Sequence, residues 1–395
     1  MKKITALLLA IVMVFALCAC GGDKTEAKSG ADSIKVGLVC LHDENSGYDK
    51  NFIDAFNAAC DACGVESVMK TNVAEDQSAY DAACELADDG CDLVFADSYG
   101  HQPYILQAAQ EFEDVEFVAC TGDMALNEGL ANYHNAFATI FEGRYLAGVA
   151  AGMKLNEMIE NGDITADQAK MGYVGAMTYA EVKSGYTSFY LGAKSVCPTA
   201  TMDVVFTASW YDETLEKEGA ESLIADGCVL ISQHADSMGA PNACQAAGVP
   251  NVSYNGSTQE ACPDSYIVSS RINWQPYFEY AIKAVMAGES FDIDWCGDLE
   301  TGSVQLTDIN EAVAAEGTAD KLAEVEAGLK DGSIKVFDTA TWTVNGETLT
   351  SYEANVVPDG EFAPDTEVIA DGVFAESSFR SAPYFDIDID GITIK

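Results

Sequence analysis

Asp92-Leu93-Val94-Phe95-Ala96-Asp97, then a segment of helical composition over residues 103–113 and a second apolar run over residues 115–121, decides the fold class of this chain. Short β-branched and aromatic runs separated by longer segments of helical period are the signature of parallel strands joined by crossover helices. Working outward, strands are expected at residues 35–40 and 65–70, with helices over 49–63 and 78–89 between them. A long helix over residues 141–161 is expected to close this first lobe. The pattern then restarts: strands at 171–176, 203–208 and 229–234 alternate with helices over 180–196 and 213–226. Two further apolar strands, 249–254 and 265–270, and a helix over 276–287 are expected to carry the chain back between lobes. The expectation is an α/β protein of two lobes, each a parallel sheet flanked by helices, with hinge crossovers. Lobe 1 is assigned to residues 34–155, lobe 2 to 156–260, and the hinge crossings and remaining elements to 261–350.

The two ends differ from this body. Lys2 and Lys3 precede an apolar run over residues 6–16, the order of a secretory signal, and the run is too short to span a bilayer. Leu17-Cys18-Ala19-Cys20 before Gly21-Gly22 resembles a lipobox, with Cys20 as the lipid-bearing residue. Residues 1–20 are therefore assigned as a lipoprotein signal. Residues 21–33, almost free of apolar side chains, read as a flexible tether. At the other end, 334–341, Trp342–Val344 and 348–350 read as strands around an Asn345-Gly346 hairpin turn. Residues 351–395 form an acidic extension. Its Asp386-Ile387-Asp388-Ile389-Asp390-Gly391 lacks the terminal glutamate of a calcium loop and reads as an edge strand with its charges in water.

A formal net charge of -44 repels phosphate backbones and argues against nucleic acid and against strongly anionic ligands. Setting aside Cys18 and Cys20 leaves eleven of the 13 cysteines, an odd number scattered through apolar segments, which read as small buried hydrophobes. Cys60-x-x-Cys63 has no second pair and no neighbouring histidine, so no metal site is assigned. Phosphate-binding, zinc-protease and serine-elbow motifs are lacking, and the four histidines, His42, His101, His134 and His234, lie in separate segments. No catalytic residue and no cofactor is expected.

Several blocks carry a family resemblance. Phe141-Glu142-Gly143-Arg144-Tyr145-Leu146-Ala147-Gly148 continues to Lys154 as a small-residue helix. Met171-Gly172-Tyr173-Val174-Gly175, Phe189-Tyr190-Leu191-Gly192-Ala193 and Ser209-Trp210-Tyr211-Asp212 follow. Ile231-Ser232-Gln233-His234-Ala235-Asp236-Ser237 and Ser270-Arg271-Ile272-Asn273-Trp274-Gln275-Pro276-Tyr277 complete the set. Together these resemble the basic membrane protein family, also called the purine nucleoside receptor family, of ABC transporter substrate-binding lipoproteins. The resemblance implies a type I periplasmic-binding-protein-like fold that captures a purine base or nucleoside between its lobes. It implies delivery to a membrane permease with its ATPase by a monomer held by a lipid anchor on the extracytoplasmic face of the cell membrane. The acidic stretch after Ser351 is longer than the family's usual ending. Cys120-Thr121-Gly122-Asp123 leaves open which polar group there faces the ligand. A riboflavin or sugar receptor of the same architecture, an extracellular nucleoside hydrolase and a ligand sensor are the alternative readings.

Ligands of open α/β sheets bind beyond the carboxyl ends of the strands. The loops 41–48, 97–100, 122–125, 209–212 and 234–239 should therefore line the site. A purine needs aromatic plates for its faces and polar groups of fixed polarity for its edge. Trp210 is the expected plate from the second lobe and Tyr48 the opposing one from the first. Asn45 is assigned to the heterocycle edge, with helix capping as its other reading. Asp236, just past an apolar strand, is assigned to accept from an amino group or ring N–H. Asp97, Ser98 and Asn255 follow strand ends in the same way. Arg144 is expected to pair with an acid, and His234 to adjoin the site.

Overall fold

Buried runs such as Leu93–Ala96, apolar on both faces, form strands only where helices cover both sides of a parallel sheet. The computed structural model describes residues 34–357 and 365–395, so the signal segment, Cys20 and the tether lie outside the described residues. Twelve strands carry the body: β1 (Lys35–Val39), β2 (Glu66–Lys70), β3 (Leu93–Ala96), β4 (Glu116–Cys120), β5 (Tyr133–Ala138), β6 (Lys170–Gly175), β7 (Thr201–Phe206), β8 (Leu230–Gln233), β9 (Asn251–Tyr254), β10 (Tyr266–Ile272), β11 (Asp294–Gly297) and β12 (Val304–Leu306). The first sheet has the order β11-β5-β4-β3-β1-β2 and is parallel throughout. The second has the order β12-β10-β9-β8-β6-β7, closed at its far edge by Ile392–Ile394, with only β12 antiparallel. In each sheet the chain order reverses beside the first strand of the lobe, β1 or β6. That reversal opens the crevice in which open sheets bind ligands.

Three crossings join the lobes. The first is the helix Ile140–Asn161 between β5 and β6; the second, helix Gln275–Ala287, runs from β10 to β11; the third is the short link from β11 to β12. The strands near residues 249–254 and 265–270, expected to carry the chain back between lobes, do not: both are interior strands of the second sheet, β9 and β10. Helix Ile140–Asn161 also packs on the second lobe rather than closing the first. A Cβ on Gly148 would lie 2.0 Å from the Phe189 carbonyl oxygen, and one on Gly192 would lie 2.0 Å from that of Tyr145. The helix and its neighbour Ala180–Val196 therefore touch backbone to backbone, as only small residues allow.

The tail departs most from expectation. A helix, Thr318–Lys330, precedes it. Residues 334–350 make only two isolated bridges, Asp338 with Val373 and Val344 with Glu347, the latter around Asn345 and Gly346, both at positive φ (53° and 80°). Val336, Phe337 and Trp342 are buried instead of paired, with Phe337 stacked at 4.5 Å on Phe385. The Asp-Ile alternation buries Ile387 and Ile389 as expected of one face, but it is not a strand. Its Asp386 and Asp388 are drawn to Lys183 (2.7 and 3.0 Å), and pairing begins only at Ile392. Among the described residues all eleven cysteines are unbridged and most are buried.

Candidate functional site

Strand ends from both lobes converge on a cavity of about 400 Å³, within the range of small-molecule sites. The lobes touch around it. Gly47 N donates to the Asp236 carbonyl at 3.4 Å, the rings of His42 and Tyr211 lie 5.5 Å apart, and those of Tyr99 and Tyr179 also 5.5 Å.

Trp210 and Asp236 face this shared cavity from the second lobe, and Tyr48 and Ser98 line it from the first. Trp210 stands in the loop after β7, where Asp212 caps the next helix by accepting from Thr214 N and Leu215 N. Its carbonyl accepts from Asp236 N at 3.0 Å, so the two loops are tied together. Its ring lies 5.9 Å from Tyr179 and 6.2 Å from His234. Tyr48 donates its hydroxyl to the Asp97 carbonyl at 2.5 Å, and Ser98 donates to Glu75 at 2.6 Å.

Three expected residues sit elsewhere. Asn45 is exposed and folds back on Asp43 (2.7 Å), away from the cavity. The helix Gly47–Cys63 is capped by Ser46, not Asn45. Asp97 lies fully buried behind the wall, where it accepts from Leu41 N at 3.0 Å. Asn255, held at φ 64°, does not line the cavity but reaches Asp236 Oδ1 from behind at 3.4 Å. The common reason is local: each short polar side chain finds a backbone or carboxylate partner nearer than the cleft.

Asp49, in the first turn of the first helix, lines the cavity and was not anticipated. Burial pushes its carboxyl up, but bonds from the His42 side chain, Ser46 and the His42 backbone N–H (2.7 Å) outweigh that and hold it below its usual value. Asp97 moves oppositely: burial, then the neighbouring Asp49 charge, raise it well above the carboxylate range. Asp49 is thus the ionised member of the pair and Asp97 the protonated one. Cys40 joins them within 4.8 Å, but burial and these same carboxylates push its thiol up as well. With Asp97 and Cys40 holding their protons, Asp49 alone offers a charged ligand atom, a set poorly suited to a cation.

His234 and Arg144 form the second buried unit. The Arg144 guanidinium donates to His234 Nδ1 (2.9 Å) and to the Gln233 carbonyl (3.0 Å), and lies 3.2 Å over the Tyr254 ring. The expected acid partner of Arg144 is thus replaced by an imidazole, a carbonyl and an aromatic face. Because Nδ1 accepts, Nε2 carries the proton and donates to Glu181 at 2.9 Å. Burial lowers the His234 pKa, which keeps the ring neutral. Asp236 stands beside this unit with its carboxyl raised well above the ordinary value, by burial first and then by Asp49, Glu216 and Glu181.

Sequence reasoning also missed Tyr179, Glu181 and Tyr254, and the wall built by Tyr352, Asn355, Arg380 and Tyr384. Tyr254 obeys the strand-end rule that selected its neighbour Asn255. Tyr179 lies in the loop after β6, a strand end of the second lobe left out of the expected lining.

The sequence model of the family described as ABC transporter substrate-binding protein PnrA-like matches residues 41–336. A curated relative, a purine-binding protein of Brucella abortus, is 29% identical over 331 residues, covering 81% of this chain and 90% of its own. A putative ABC transporter glucose-binding protein of Haloferax volcanii is 30% identical over 254 residues, 64% of this chain and 61% of that one. Among solved structures, solute-binding proteins of ABC transporter systems from Aeropyrum pernix (TM-score 0.65, 18% identity, 80% of this chain and 94% of that one) and Conexibacter woesei (0.62, 22%, 77% and 98%) share the two-lobed fold. With the matched region covering every crossing and both sheets apart from β1 and the edge strand Ile392–Ile394, the chain belongs to the PnrA-like family of ABC transporter substrate-binding proteins, which bind small molecules outside the cytoplasm and deliver them to a membrane permease.

Proposed function

We propose that the solute is a purine base or nucleoside, held between the lobes with its face on Trp210 and its edge on Asp236. The observation that carries this reading is that Trp210 and Asp236, on loops tied by a 3.0 Å backbone bond, line one cavity together with Tyr48 of the opposite lobe. An indole offers a flat polarisable surface, and a carboxyl beside it can take a ring or exocyclic N–H. The Brucella relative, whose printed name is purine-binding, supports the same class. Cys20 as the lipid anchor and a monomeric receptor complete the proposal.

A second reading, a sugar receptor, is favoured by the glucose-binding name of the Haloferax relative. Thermal-shift titration with adenine, guanine, their nucleosides, riboflavin and hexoses separates the two, because a ligand that binds only the folded state raises its melting temperature. Purines are expected to stabilise the wild type, and Trp210→Ala to lose that response. Stabilisation by hexoses alone would falsify the purine assignment.

A further inference from the structure

The family match ends at residue 336, yet the cavity has a wall made by residues beyond it. Tyr352, Glu353, Asn355, Arg380, Tyr384 and Asp386 all line the same space as Trp210 and Asp236. We propose that this C-terminal segment is a third wall of the solute site and that Asn355 is a specificity-determining residue, accepting a hydrogen bond from the bound molecule. The proposal rests on the reading that this cavity is the solute site.

The wall is built. Arg380, only 7% exposed, donates to the carbonyls of Val356 (2.9 Å), Ala382 (3.1 Å) and Pro383 (3.1 Å), bracing its two halves against each other. The same guanidinium lies 3.6 Å from Asp123 of the first lobe. Ser381 adds a second tie there, donating its N–H and hydroxyl to Asp294 at 2.8 and 2.5 Å. On the other side, Ser184 of the second lobe donates to Glu376 at 2.5 Å, Lys183 pairs with Asp386 and Asp388, and Ile392–Ile394 extends the sheet beside β7. The segment is thus fixed to both lobes and faces the space between them.

Within this wall the carboxamide oxygen of Asn355 is buried without a protein partner. A buried acceptor left unpaired is disfavoured, whereas one that meets a ligand donor rejects analogues lacking that donor. Asn355 lines the cavity, and the guanidinium of Arg380 is committed to main-chain carbonyls, so the buried oxygen has no donor from that side chain and would meet the solute only as the wall adjusts around it. Arg380 acts through the wall, as a positioning residue.

Isothermal titration calorimetry on the full mature chain, with adenine, guanine, adenosine, guanosine, riboflavin and hexoses as probes, tests this. For the compound the wild type binds best, Asn355→Ala should weaken affinity about tenfold, while Asn355→Asp, which keeps an acceptor, stays within about threefold. Hydrogen–deuterium exchange on the wild type supplies a readout independent of any variant's folding: amides of residues 351–357 and 380–386 should slow on saturation with that compound. Unchanged affinity in Asn355→Ala together with unchanged exchange overturns the third wall. If riboflavin or a hexose binds and no purine does, the purine assignment falls while the Asn355 comparison on that compound still decides the wall.

Discussion

Asp236 is a carboxyl whose nearest side-chain bond, from Asn255 at 3.4 Å, is weak. Burial raises its pKa, Asp49, Glu216 and Glu181 raise it further, and Arg144 opposes them. The free protein therefore holds this proton to higher pH than an ordinary carboxyl does, whereas a purine N–H calls for the carboxylate. Affinity should rise as pH rises through the elevated pKa and then level off, and Asp236→Asn should bind weakly with no such slope; calorimetry between pH 5 and 8 reads both. Glu376 offers a stability counterpart. Burial first lifts its carboxyl to about 7 from an ordinary 4.5, against the opposing bonds from Ser184 and Ser377. A raised acid contributes stability that is complete below the unfolded value and is lost as pH climbs through the folded one, here between about pH 4.5 and 7. The swing is on the order of 3 kcal/mol. The melting temperature of Glu376→Gln relative to wild type should therefore increase across that interval. A constant difference would show that Glu376 keeps its charge in the fold.

At the scale of elements, the crossing of Ile140–Asn161 over Ala180–Val196 sets where Arg144 can reach. Gly148, Gly152 and Gly192 let the two backbones meet, and one turn before Gly148 the Arg144 guanidinium arrives at His234. A methyl on Gly192 must push apart main-chain atoms, not a flexible side chain. Gly192→Ala should cost roughly 2–3 kcal/mol, seen as a lower urea midpoint at unchanged slope. It should also weaken ligand binding, because Arg144 is displaced from His234. These elements were legible because their sequence carries its own periodicity: buried runs such as Leu93–Ala96 and the small-residue face around Gly148 state their structure locally. The place of Trp210 and Asp236 in the cavity lining was legible for the same reason, since they follow strands whose ends face the cleft. Asn45 and Asp97 failed the same rule because Asp43 and the Leu41 N–H claim them first, a competition that spacing does not record. Tyr352, Asn355 and Arg380 gave no periodic signal, for the segment that holds them is fixed by single contacts to distant residues such as Asp294 and Ser184.

For the whole molecule, charge decides what class of solute the cleft admits. The chain carries -44, and beside the raised carboxyl of Asp236 the cavity itself is lined by Asp49, Asp123, Glu181, Glu353 and Asp386. Opposing them in the lining is one guanidinium, Arg380, already bonded to three carbonyls, while His234 is neutral by burial. A phosphate entering this space would lose its water without gaining a free cation, and would do so inside a field of its own sign. Purine nucleosides and their 5′-monophosphates share the base that Trp210 and Asp236 are proposed to read, so the pair isolates the electrostatic contribution. The nucleoside should shift the melting temperature, and the monophosphate at the same concentration should not. Raising salt from 10 to 300 mM shortens the reach of the surface charge from about 30 Å to less than 10 Å. It should nevertheless rescue little monophosphate binding, because the carboxylates lining the cavity act at contact range, where screening is weak. Full recovery of monophosphate affinity in high salt would place the discrimination on the outer surface and not in the cleft.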